Sequence, residues 1–276
     1  IWEKAVLTPE AQATGWLGRT LDQLYRQDAE ALHAVAMSGD VPAFHGDYVT
    51  TPVITDPGSF NYPHDDPNQT AALEALFRLA GAANHDYVSH IGQIALADAG
   101  AVQAAFAAYS STVAYPENSG LAGSLKLTAA VIAADLGPRI FFVIQGGYDT
   151  HDSQLGTHET LLLELDQSLD AFYRDLVEHG QDRRVVMMTY SEFGRRVEDN
   201  GSGGTDHGSA APMFVFGSRV RGGLFGAPPS LTNLDPDGNL KFSTDFRQVY
   251  ASILANWIDA DPVEVLFENY PTISFL

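Results

Sequence analysis

Three short stretches carry the side chains best able to do chemistry. Gly146-Gly147-Tyr148-Asp149-Thr150-His151 sets a carboxylate beside an imidazole, and Thr205-Asp206-His207-Gly208 does so again. Between them, Ser191-Glu192-Phe193-Gly194-Arg195-Arg196 adds a carboxylate, a hydroxyl and two guanidinium groups. Asp149, His151, Glu192, Asp206 and His207 make up the mixed oxygen and nitrogen set that suits zinc, manganese or a similar divalent ion. Glycines flank every stretch, and glycine lets a backbone approach a ligand or take positive φ. A single Asp-His pair is more often a cap, a turn or a solvated charge. Two such pairs beyond successive strands favour a cation site instead. Arg195 and Arg196 can hold an anionic substrate in bidentate fashion, although a strand-end arginine pair is more often a solvated salt-bridge partner.

These stretches need elements to position them. Residues 139–145 form a short continuous apolar run, the mark of a strand buried on both faces, and 184–190 form another. Between them 158–179 has the apolar spacing of an amphipathic helix, with Leu162, Leu165, Leu169, Phe172 and Leu176 on one side and Gly180 fit to end it. Strand, helix and strand in that order predict a parallel sheet covered by helices. A third apolar run, 213–216, follows a Gly-rich loop with no crossover helix. It is expected to lie antiparallel to the second strand, returning His207 to the edge where Asp149 and Glu192 emerge. In open α/β sheets that edge, at the carboxyl ends of strands, is where ligands bind.

Upstream, residues 9–37 have helical spacing, and 40–67 read as proline-rich irregular structure with one or two short strands. Residues 68–136 are Ala-rich and read as helices divided near Gly81 and Tyr115-Pro116, while 245–258 close the pattern with another helix. The division expected is one domain, with 1–67 as a peripheral helix and irregular cap on an α/β core at 68–276. His158 and Glu159 fit the first turn of a helix. His33, His45, His64, His85, His90 and His179 have no partner pattern and are expected to be structural or exposed. Asp235 to Asn239 resembles the start of a calcium loop but reads as a plain turn. No nucleophile elbow, P-loop or dinucleotide fingerprint occurs.

Composition narrows the classes. The 276 residues include 35 acids against 15 bases, a formal charge of −20, and 45% are hydrophobic. So negative a surface repels phosphate backbones, which argues against nucleic-acid partners. No apolar stretch reaches about 18 residues, so no membrane span is expected. Cysteine is absent, which removes disulfides, thiolate metal sites and cysteine nucleophiles together. The chain opens Ile1-Trp2-Glu3 with neither Met nor an export leader, and reads as cut from a longer precursor.

The three stretches, with Thr244-Asp245-Phe246-Arg247-Gln248-Val249-Tyr250, resemble an uncharacterised family, DUF 1501, from about Trp2 to Trp257. The resemblance implies the fold of the alkaline phosphatase and sulfatase superfamily: a three-layer sandwich with a mostly parallel central sheet and its third motif strand, about 212–217, antiparallel. It implies export to the periplasm or beyond, and two divalent ions acting on a transferring group. By that likeness Asp149 and His151 follow one strand as acid and imidazole. Glu192 stands where an Asp-His-Gly turn is usual, with Phe193 in place of the imidazole, and His207 precedes an apolar strand. The nucleophile would lie upstream of Ile1, in a segment that completes the fold.

The leading expectation is therefore an exported, metal-dependent hydrolase of small phosphate or sulfate esters. It would use one or two ions of zinc, manganese or calcium, with Asp206 as ligand or as the group orienting His207. A degenerate family member acting as a binding module is the first alternative. The second is an acyl hydrolase with Ser191 as nucleophile, His207 as base and Asp206 as orienter.

Overall fold

Ala34-Val35-Ala36-Met37 and Ile140-Phe141-Phe142-Val143 are apolar at every position, a pattern stable as parallel strands covered on both faces. The computed structural model describes residues 1–8, 13–28, 31–54, 68–69, 71–73, 75–76 and 86–276. In it the two runs pair in parallel as β1 (Ala34–Met37) and β2 (Ile140–Val143), with Ala34 opposite Ile140 and Met37 opposite Val143. Alternation along a strand sorts side chains by face. Ala34, Ala36, Ile140 and Phe142 join one core with Trp16, Leu17 and Leu21 of the Trp16–Tyr25 helix and with Val249, Tyr250 and Ile253 of the Phe246–Ile253 helix. Val35 and Met37 enter a second core with Val102 of the Asp86–Ala108 helix and with Leu127 and Val131 of the Gly120–Ala133 helix. Helices thus cover both faces of the pair, and the fold is mixed α/β.

Several expectations change here. Among the described residues of 9–37, helix is found at Trp16–Tyr25, and Ala34–Met37 is strand. Its side chains are buried on both sides, which one helix face could not achieve. Within 1–67, Ala34–Met37 thus supplies one strand of the parallel pair. Val53 adds one parallel bridge to Ala36, a trace of the short strand expected within 40–67. The division near Gly81, His64, His85 and the side chain of His90 lie outside the described residues.

Downstream come β3 (Met187–Met188), β4 (Gly194–Asp199), β5 (Thr205–Gly208) and β6 (Val215–Phe216). β3 pairs antiparallel with β6, Met187 opposite Phe216, since no crossover helix separates them. β4 and β5 form an antiparallel hairpin. Among the described residues the ladders stay separate: β2 bonds to β1 and not to β3, so the expected parallel sheet is reduced to one parallel pair. Among the same residues no helix is long and apolar enough to cross a membrane.

The Gln154–Glu178 helix follows β2 and packs Phe172 and Leu176 against Leu121, Leu125 and Ala129. The Thr244–Tyr250 motif belongs to the fold. Asp245 accepts from the Arg247 backbone N–H at 2.9 Å and pairs with its guanidinium at 2.6 Å, capping the Phe246–Ile253 helix.

One buried charge organises the far end of the long helix. Asp175 has no exposed surface and accepts hydrogen bonds from the Tyr109 hydroxyl at 2.7 Å and the Tyr115 hydroxyl at 2.6 Å. His179 stands one turn on, its Nδ1 3.0 Å from the Asp175 carbonyl oxygen and its Nε2 3.1 Å from the Ser110 carbonyl oxygen. Only the imidazolium donates from both nitrogens. The bond to the Asp175 carbonyl, the Asp175 charge, the Ser110 carbonyl and the Glu178 charge accordingly raise the His179 pKa, against burial that lowers it. A pKa higher in the folded chain gives stability that is complete below the ordinary histidine value of about 6.5 and lost as pH rises through the folded value. The unfolding midpoint should therefore fall over that window, and His179→Gln should flatten this part of the thermal pH profile.

Candidate metal centre

The hairpin turns at Asn200-Gly201-Ser202-Gly203-Gly204, with Gly201 at φ +80°, where a side chain is strained. Asn-Gly between extended segments is a strong hairpin signal. The strands themselves gave little sign, since Gly194–Asp199 carries mainly charged, exposed residues and no apolar alternation. The loop that leaves β2 docks against this hairpin. The Gln154 N–H donates to the Gly203 carbonyl at 2.9 Å, and Asn200 Nδ2 donates to the His151 carbonyl at 2.8 Å. Gly204 permits the approach, for a Cβ there would lie 2.5 Å from the His151 carbonyl carbon.

Docking brings Asp149 and His207 together. Asp149 Oδ1 lies 2.7 Å from His207 Nε2 and 3.0 Å from His151 Nε2. One potential ligand atom from each of Asp149, His151 and His207 falls within 4.8 Å of the others, the one such group of three found among the described residues. All three side chains are exposed. Phe193 stacks on His207 with ring centroids 3.8 Å apart and planes 9° from parallel, which fixes the imidazole plane. The His207 hydrogen bond, then its charge, then the bond and charge of His151 hold the Asp149 carboxyl below the usual carboxylate range, against an opposing contribution from desolvation. One oxygen and two nitrogens in this reach suit zinc or manganese. Calcium, which takes six to eight oxygens, is a poor match.

The other candidates fall elsewhere. Asp206 neighbours His207 on β5, and successive strand side chains point to opposite faces, so it does not orient His207. Its Oδ1 is instead 3.5 Å from His151 Nδ1. Glu192 precedes the first hairpin pair, Gly194 with Gly208, and stays outside the group. The charge it perturbs is that of Glu3. Arg195 donates from its two terminal nitrogens to the Thr205 carbonyl and, at 2.6 Å, to the Tyr148 carbonyl. Arg196 is exposed, and its charge lowers the Asp235 pKa after that residue's own turn hydrogen bonds. The Ser191 hydroxyl donates to the Phe193 carbonyl at 2.8 Å, which leaves the proposed Ser191, His207 and Asp206 chain unconnected. Sequence reasoning missed Asn200, Gly204 and the stacking role of Phe193. Only the Asn-Gly step offered a signal for the first of these.

The order of these influences is testable by a carbon-13 titration of the Asp149 carboxyl. His207→Gln should move its pKa back toward the ordinary aspartate value of about 3.9 further than His151→Gln does.

No curated protein and no solved structure matches the chain. Residues 3–246 match the family described as "Protein of unknown function (DUF1501)", and the chain belongs to that family.

Proposed function

We propose that this protein is a metal-dependent hydrolase of small phosphate or sulfate esters, with one divalent ion held by Asp149, His151 and His207. The observation that carries the reading is the convergence of one carboxylate and two imidazoles, from a loop and a hairpin 58 residues apart in sequence, into a single group. Three protein donors leave coordination positions free, as catalytic zinc sites do, whereas structural sites close with four. The ester class, an alkaline-phosphatase-like arrangement of the whole fold, and export follow from the family resemblance.

A cation in this site supplies electrostatic stabilisation to the charge developing on a transferring phosphoryl or sulfuryl group. The chain's own residues prepare for it. Asp149 is held ionised, and His207 is fixed in plane by Phe193. The Asp206 charge, 3.5 Å from His151 Nδ1, favours a proton on that nitrogen and so leaves the Nε2 lone pair for a cation. Arg196 follows Arg195 on β4 and so points to the other face, where its charge acts on Asp235. A second reading, a binding module without turnover, is favoured by the position of Glu192 outside the group.

Elemental analysis and calorimetric titration with zinc and manganese should give one ion per chain. His207→Ala should abolish uptake, and uptake should weaken in acid, because protons compete with the cation for the carboxylate and imidazole lone pairs. Hydrolysis of p-nitrophenyl phosphate or p-nitrophenyl sulfate by the loaded protein supports the enzyme. Stoichiometric metal without turnover of either supports the binding module.

A further inference from the structure

Asp149 and His207 meet across a loop and a hairpin that share no ladder, so some other contact must hold them in register. Near His151 that contact is plain: Asn200 and Gly203 grip the backbone at 151 and 154. At the Asp149 end, among the described residues, Arg195 bridges loop and hairpin through backbone groups. It lies directly opposite His207 in the β4–β5 ladder. From there its guanidinium reaches the carbonyl of Tyr148, the residue before Asp149, and the carbonyl of Thr205, two before His207. The side chain is 17% exposed, and its nearest nitrogen stands 3.9 Å from Asp149 Oδ1, beyond hydrogen-bond range.

We propose that Arg195 is a positioning residue that locks the Asp149 loop to the His207 strand. This rests on the metal-centre reading and deepens it. Each terminal nitrogen gives one N–H to a carbonyl, so the clamp uses two of the five guanidinium donors, one on each side of the contact between loop and hairpin. A charged donor on a carbonyl makes a stronger bond than a neutral one. The planar fork of arginine serves two acceptors at fixed spacing, which the single ammonium of lysine does not reproduce. Arg196, next on the strand and exposed, has the same charge without the clamp.

The test uses Arg195→Lys, Arg195→Gln and the control Arg196→Lys, each read only where its far-UV circular dichroism matches the wild type. Histidine nitrogen-15 spectra of the metal-free proteins report the His207 Nε2 hydrogen bond, and calorimetry reports zinc affinity. Both Arg195 variants should shift the His207 signal and weaken zinc about 10-fold or more, the usual cost of losing a group that orients ligands. Arg196→Lys should do neither. An unchanged His207 signal and unchanged zinc affinity overturn the proposal. Unchanged zinc affinity with weakened binding of inorganic phosphate also overturns it and assigns Arg195 to substrate. If the wild type takes up no metal, the metal reading fails, and the His207 signal alone still decides for or against the clamp.

Discussion

The arrangement depends on one docking event, the seating of the loop after β2 on the β4–β5 hairpin. Neither partner has much apolar surface to drive the contact. Polar bonds to backbone carbonyls and the missing side chain at Gly204 do the work instead, and each bond of that kind adds only about 1 kcal/mol. Specific geometry therefore comes from several weak bonds acting together. The Asp149 carboxylate then receives two imidazoles, and its lowered pKa is the electrostatic record of that meeting.

Beneath the site lies a scaffold of ordinary hydrophobic origin. β1 and β2 are short, yet their side chains alternate between two cores, so the pair is held from both faces. Fully burying one large aliphatic or aromatic side chain contributes roughly 1.5–3 kcal/mol, more than any single bond at the hairpin. Stability thus resides in the helix-covered pair, and the site is carried on loops beyond it. Such a division suits function, because exposed loops on a rigid base can hold polar groups that a core could not accept.

The Asp175 network shows how the same chain treats a charge it does bury. A tyrosine hydroxyl donates to each oxygen of the carboxylate, and His179 stands one turn on with its Nδ1 3.1 Å from Oδ1. Asp149 is saturated only by groups that could release it to a cation. That difference in surroundings, rather than residue type, separates a structural carboxylate from a candidate ligand.

Much of this was legible in the residues. The apolar runs at 140–143 and 213–216, the long helix before Glu178, and the Asp149, His151 and His207 candidates all follow from local pattern, because burial and helical spacing are written along the chain. Partners were not. That β2 bonds to Ala34–Met37, that Asp206 faces His151, that Glu192 stays apart and that Arg195 clamps two carbonyls are decided by contacts between distant segments. Periodicity reports which face of an element is apolar, while the choice of neighbour depends on how those faces pack together, and only the tertiary structure holds that information.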